Sequence, residues 1–288
     1  MGDWGKDIAG GLLTDPKEEN RVVRTRFAPS PTGSVHLGGL RTALFNYFHS
    51  KKHNGEYLLR IEDTDSKRFV PGAQENLIDV LHWAGVHHDE GPDVGGEKGP
   101  YVQSQRKEIY QHHIQTLIDK GEAYRCFCTE ERLATMRENL KKQMSTFYYY
   151  DRTCYHLTES QIQEKLEEGV PHTVRMRADR HGQSSWDDIC RGPVSFSNIQ
   201  IDDQILMKSD GTPTYHFACV VDDHLMEISH VIRGEEWISS TPKHLMLYKK
   251  MGWEPPIFCH LPLLLNKDKT KLSKRQADVS VESYREKG

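Results

Sequence analysis

Near the start of the chain, one loop leaves few folds open. Residues 21–28 read as a short buried strand through Val22, Val23 and Phe27, which Pro29, Pro31 and Gly33 then break. A helix is expected from about Gly39, because Leu40, Ala43, Leu44, Tyr47 and Phe48 fall at i, i+3, i+4, i+7 and i+8. Residues 57–61 read as a second strand ending in Glu62-Asp63-Thr64-Asp65, and Leu77, Val80, Leu81 and Ala84 mark a second helix. Strand, loop, helix, strand and helix in this order give a parallel sheet covered by helices, the α/β class.

The Gly-rich stretch 91–100 interrupts the pattern. A helix (Tyr110, Ile114, Leu117, Ile118), a strand at 124–128 and a charged helix at 130–144 follow. Thr158 and Gln161 have capping-box spacing, and 172–178 alternates as a half-buried strand. After Ile201 the first pattern returns. A turn at Asp210-Gly211 precedes the apolar run 217–221, and 229–232 reads as a strand. Thr241 is the expected N-cap of a helix, with Pro242 as its first residue. A length of 288 residues suits about two units. We divide the chain into a mobile lead (1–20), a first half of a nucleotide-binding domain (21–104), an inserted unit (105–200) and a second half (201–288).

Composition excludes several classes. The longest strongly apolar run, 261–265, is broken by Pro262 and is far too short to span a membrane. Six cysteines are too few for a disulfide scaffold, so reduced thiols in an intracellular protein are expected. The net charge of −4 means that nucleic-acid contacts must come from local basic patches. Residues 1–20 hold five acidic side chains and lack the features of a signal or transit peptide.

Two loops carry chemistry. The Gly- and Pro-rich loop 28–39 opens onto a helix, where backbone N–H groups and the helix dipole favour phosphate. Gly33 and Gly38 have the spacing of a Walker-A loop, but Gly39-Leu40 stands where Lys-Ser/Thr is required, and G-x-G-x-x-G is absent. Five of the nine residues 267–275 are basic, which suits neutralisation of a leaving pyrophosphate. Taken singly, the first is equally an ordinary turn and the second a solvated surface.

Together the two loops resemble the signatures of class I aminoacyl-tRNA synthetases. His36-Leu37-Gly38-Gly39 resembles the HIGH motif, and Lys271-Leu272-Ser273-Lys274-Arg275 resembles KMSKS. The stretches 26–33, 59–65, 214–224 and 233–237 narrow the resemblance to glutamyl-tRNA synthetases of bacterial and mitochondrial type, across about 21–288. It implies a Rossmann-like parallel catalytic domain with an α+β insertion that grips the tRNA acceptor stem. It implies a monomer that activates L-glutamate with ATP and Mg²⁺ to glutamyl-adenylate and transfers it to the 3′ end of tRNA(Glu), with tRNA(Gln) as a further substrate in some members. By the same resemblance His36 and Lys274 are catalytic, and His36, Gly38, Gly39, Glu236, Lys271, Ser273 and Lys274 bind ATP. Arg26, Phe27, Ala28, Ser30, Glu62, Tyr215, His216, Phe217, Ala218, Cys219 and Arg233 bind glutamate. Arg26 and Arg233 would take its side-chain carboxylate, which suits a planar guanidinium fork, and Glu62 its ammonium.

The resemblance has further consequences. Cys219 stands where the usual bacterial pattern has Asn, and this form resembles the mitochondrial branch, so a mitochondrial matrix location is favoured over the cytoplasm. Cys126, Cys128, Cys154 and His156 resemble the C-x-C…C-x-H zinc site of some members; on strands, residues i and i+2 would offer both ligands of each arm to one Zn²⁺. Cys190 and Cys259 have no partners by spacing and read as core residues. Members of the family continue for about another 200 residues after the basic loop, a stem-contact and anticodon-binding region. Two rivals stay open: a glutamyl-queuosine tRNA(Asp) synthetase, which shares the catalytic body, and a truncated, non-catalytic tRNA-binding remnant. Leu40-Arg41-Thr42-Ala43-Leu44, Gly99-Pro100-Tyr101 and Asp222-Asp223-His224 resemble the tRNA-charging branch instead.

Overall fold

The computed structural model describes residues 22–65, 70–144, 149–266, 269–270, 272 and 280–287. The lead at 1–20 lies outside these residues. Arg24–Phe27 forms β1, Leu37–Lys52 α1 and Glu56–Leu59 β2. β1 and β2 pair in parallel, from Arg24 opposite Glu56 to Phe27 opposite Leu59, with α1 as the crossover. α1 starts two residues before the spacing of apolar residues predicts, because His36 caps it: its Nδ1 accepts the Gly38 amide at 2.9 Å. Ala73–Trp83 is α2, whose Leu77, Val80 and Leu81 share a core with Tyr57, Leu59 and Ile61.

Lys107–Asp119 is α3, Ala123–Cys126 β3, Glu130–Lys142 α4, Glu159–Glu167 α5 and Thr173–Met176 β4. The Thr158–Gln161 capping box forms at the start of α5. Gln183–Asp188 (β5) and Gly192–Ser197 (β6) form an antiparallel hairpin absent from the sequence expectations. Its alternation is short, with Val194 and Phe196 on β6 and Trp186 alone on Ser- and Asp-rich β5. Ile205–Met207 is β7. Tyr215–Leu225 (α6), His230–Gly234 (β8), Thr241–Met251 (α7), Ile257–Leu261 (β9) and Val281–Lys287 (α8) complete the described chain. Ser240, not Thr241, is the N-cap of α7; Thr241 is already helical, and its hydroxyl is engaged by Arg233 at 2.9 Å.

Among the described residues three sheets result: β1-β2, antiparallel β3-β4-β7, and β6-β5-β9-β8. β8, β9 and β5 run parallel. The Ser229 amide donates to the Arg24 carbonyl at 2.9 Å, and the Arg24 amide donates to Ser229 Oγ at 2.7 Å, which sets β1 beside the start of β8. The two ends of the α/β pattern therefore meet in one layer. A cut at residue 200 crosses these sheets, since β5 pairs with β9 and β7 joins β3 and β4. Among the described residues, no helix is long and apolar enough to cross a membrane.

Candidate active site

A cleft of about 1420 Å³ opens past the C-terminal ends of β1 and β8. Parallel α/β sheets place ligands at this edge. Arg26, Phe27, Ala28 and Ser30 line it from β1, Glu62 from the end of β2, and His36, Gly38 and Gly39 from the mouth of α1. Tyr215 and His216 enter from α6, and Arg233 and Glu236 from the end of β8. Phe217, Ala218 and Cys219 are not on the wall; they are fully buried beneath it. Lys271, Ser273 and Lys274 lie outside the described residues, although Leu272 between them lines the cleft.

The α1 end is suited to an anion. The bond from the Gly38 amide makes His36 Nδ1 an acceptor, so the neutral ring carries its proton on Nε2. A side chain at Gly38 would place Cβ 3.1 Å from that ring nitrogen, so a glycine keeps the cap relaxed. The Gly38 amide is held by this ring nitrogen and the Gly39 amide by the His36 carbonyl at 2.7 Å, so an anion here meets the positive end of the α1 dipole and the His36 Nε2 proton.

The opposite end is built on a buried charge network. Arg26 Nε and Nη2 donate to the two oxygens of Asp223 at 3.0 and 3.1 Å. Arg60 Nη1 donates to Asp223 at 2.8 Å, and Arg60 Nη2 donates to Glu62 at 3.0 Å. Burial alone would raise Asp223, but Arg26 and Arg60 outweigh it and hold the carboxyl at about 2. Burial raises Glu62, against the pull of Arg60 and Arg26. Neighbouring Asp222 accepts from Gln103 (2.8 Å), Arg106 (2.7 Å) and the Tyr110 hydroxyl (2.7 Å), which ties α6 to α3. Cys219 Sγ lies 3.9 Å from both Arg26 Nη2 and Arg60 Nη2.

Arg233 sets the protonation of its surroundings. A guanidinium only donates. Its Nε donates to His260 Nε2 at 3.1 Å, so the His260 proton sits on Nδ1 and is given to Asp188 at 2.5 Å. Its Nη1 faces His244 Nδ1 at 3.4 Å, so His244 donates from Nε2 to His216 Nδ1 at 3.0 Å. Burial, Lys243 and Arg233 hold His216 at about 4. Burial and the neighbouring His230 do the same to His49, at about 4. Between pH 6.5 and 4 the unfolded chain therefore takes up a proton at each histidine that the folded chain refuses. Stability is present in full above 6.5 and falls as pH drops through this window. The expected slope is at most about 1.4 kcal/mol per pH unit for each histidine. Urea midpoints across the window measure it, and His216→Asn should flatten the curve; an unchanged slope in that variant would refute the assignment.

Asp223, Asp188, His244 and His260 are absent from the sequence-derived site. Asp223 falls inside the quoted stretch 214–224, and its adjacent acidic pair was the available signal. Each of the others acts through a partner distant in sequence.

The cysteines divide differently from expectation. The sulfurs of Cys126, Cys128 and Cys154 come within 4.8 Å of one another, but His156 is not in the group. Only Cys126 is on a strand, and Thr153–His156 is a 3-10 turn, where residues i and i+2 do not share a face. The Tyr150 hydroxyl instead lies against Cys126 (3.4 Å) and Cys128 (3.2 Å) and accepts the Cys154 amide (3.0 Å). Hydrogen bonds from Cys154 and Tyr150 lower the Cys126 thiol, which suits a metal-binding thiolate. Cys190 is not a core residue: it is exposed, and its sulfur lies 3.2 Å from that of buried Cys259.

The family described as tRNA synthetases class I (E and Q), catalytic domain, matches residues 22–288. The glutamate–tRNA ligase of Clostridioides difficile is 53% identical over 274 residues, covering 92% of this chain and 55% of its own length. That of Chlorobium phaeovibrioides is 54% identical over 289 residues, covering 99% and 56%. A crystal structure of a glutamate tRNA ligase from Elizabethkingia meningosepticum, in complex with its amino acid, matches with a TM-score of 0.86 and 42% identity over 90% of this chain and 54% of that one. The chain thus spans about half the length of these relatives.

Proposed function

The chain belongs to the class I tRNA synthetases of the E and Q group, in their catalytic domain, and from that premise we propose that its cleft activates L-glutamate with ATP and passes it to tRNA(Glu). The observation that carries this reading is the cleft's two unlike ends, the N-terminal end of α1 with His36 and a wall holding Arg26 and Arg233. The first suits phosphates. The second suits a carboxylate side chain, with Glu62 opposite for an ammonium.

In this proposal the α-carboxylate of glutamate attacks the α-phosphorus of ATP, the bond to the β-phosphate oxygen breaks, and pyrophosphate leaves. Holding the two anions in line is the main requirement, so the work of the chain is positioning and charge stabilisation. His36 Nε2–H and the positive end of α1 at Gly38 and Gly39 steady the phosphates, Glu236 meets the nucleotide, and Lys274 is assigned the charge of the leaving group. Mg²⁺ would share the phosphate charge. Tyr215 packs on Trp237, ring centroids 4.5 Å apart, and walls the amino-acid end, while Cys219 acts from below through Arg26. The α3–β4 region with β7 is assigned to the acceptor stem.

The same proposal places Zn²⁺ at the three clustered thiols, without His156. Elemental analysis should find about one zinc per chain, lost in Cys126→Ser; a zinc-free, fully folded wild type would remove this part. A mitochondrial address is not included, because the relatives named above are bacterial.

Glutamate-dependent exchange of pyrophosphate into ATP tests the reading, with His36→Ala as the blank. Exchange that requires tRNA(Glu) supports it. Exchange without tRNA favours the queuosine-modifying alternative, and no exchange in a folded chain overturns catalysis by this chain alone.

A further inference from the structure

Two thiols face each other where β5 meets β9. Asp188, the last residue of β5, is in register with Phe258, and the Ile189 amide donates to the Phe258 carbonyl at 3.0 Å. This pairing sets Cys190 beside Cys259, with 3.2 Å between sulfurs and no disulfide between them. The two differ in access: Cys190 is exposed, and Cys259 is only 6% exposed. Burial first, and then Cys190, push the Cys259 thiol upward, so it is a poor first nucleophile. Solvent oxidants reach Cys190, and Cys190 reaches Cys259.

We propose that Cys190 and Cys259 form a peroxide-sensitive dithiol that closes to a reversible intramolecular disulfide and thereby disturbs the support of Arg233. The Cys190 thiolate attacks a hydroperoxide. An S–O bond forms as the O–O bond breaks, and with hydrogen peroxide the leaving hydroxide takes a proton to become water. The Cys259 sulfur then attacks the Cys190 sulfur. The S–S bond forms, the S–O bond breaks, and hydroxide leaves with the Cys259 proton as a second water. Two thiols lose two electrons in all, and the peroxide gains them.

Closure shortens the sulfur separation from 3.2 Å to about 2.05 Å, which moves the turn after β5 against β9. That movement falls on the residues that hold Arg233. Asp188 Oδ1 accepts the amides of Cys190 (3.1 Å), Arg191 (3.2 Å) and His260 (3.1 Å). Asp188 Oδ2 accepts His260 Nδ1, and His260 Nε2 accepts Arg233 Nε. The effect on substrate rests on the reading of Arg233 as a glutamate clamp; the disulfide does not.

The test is hydrogen peroxide treatment of the whole chain, followed by alkylation, digestion and mass mapping. The expected result is loss of two alkylatable thiols and a crosslinked peptide joining 190 to 259, lighter by two hydrogens and restored by dithiothreitol. The double variant Cys126→Ser, Cys128→Ser leaves one thiol beside Tyr150, so that cluster cannot close a disulfide of its own, and the 190–259 link should persist there. Alkylatable Cys190 after treatment, Cys190 driven to sulfinic acid beside an unreacted Cys259, or a disulfide confined to the other cluster would each overturn the dithiol. In the exchange assay, oxidation should raise the KM for glutamate several-fold in wild type and leave that of Cys190→Ser unchanged. An equal KM in the two after a mapped 190–259 link would overturn the coupling to Arg233. An inactive reduced chain would count against the synthetase reading and leave the peptide map standing.

Discussion

Asp223→Ala is expected to lower the free energy of unfolding by about 3–5 kcal/mol, the cost of removing one partner from a buried ion pair. The carboxylate is 3% exposed and holds Arg26 and Arg60, which are 5% and 0% exposed. Arg60 retains Glu62 at 3.0 Å and Asp222 at 3.9 Å after the change, whereas Asp223 is the carboxylate paired with Arg26. The orphaned Arg26 charge would then tilt toward solvent at the cleft wall, and glutamate binding should weaken together with stability. Urea unfolding measures the first effect and the KM for glutamate the second. A loss below about 1 kcal/mol, the size of an exposed pair, would show that water enters the network.

Arg233→Leu is expected to reduce kcat/KM for glutamate by about 10²–10³-fold, or about 3–4 kcal/mol, with the KM for ATP little changed. Arg233 is 5% exposed and sits between two imidazoles and the Thr241 hydroxyl. Arg233→Lys should fail almost as badly, because one ammonium cannot donate along the three directions that the fork serves. Steady-state exchange at varied glutamate and varied ATP separates the two substrates. A leucine variant with an unchanged KM for glutamate would remove Arg233 from the clamp.

The first βαβ unit was legible because its pattern is local. The apolar spacing of α1 and the breaks at Pro29 and Pro31, like the capping box of α5 at Thr158, each lie within a few residues of their cause. The β5–β6 hairpin was not recognised: the apolar residues of its half-buried face are only Trp186, Val194 and Phe196, a short alternation diluted by Ser, Asp and Gly. The cleft wall was legible through motifs, but the residues supporting it were not. Asp223 meets Arg26 across 197 positions and His260 meets Asp188 across 72, and no local spacing encodes either pair. The cysteine set was half legible. The three thiols converge, but a 3-10 turn replaces the strand assumed for Cys154 and His156.

The contact of Arg24 with Ser229 has a consequence for the time course of synthesis. These residues are 205 positions apart, so one long edge of β1 has no partner until the start of β8 has left the ribosome. At about 5–20 residues per second, that interval is on the order of 10–40 s. Throughout it, β1, α1 and β2 form an unfinished half-sheet with an open edge, the kind of surface that recruits strands from other chains. The intervening segment forms its own β3-β4-β7 sheet almost entirely from local sequence. That segment can therefore close its own sheet before the two walls of the cleft meet.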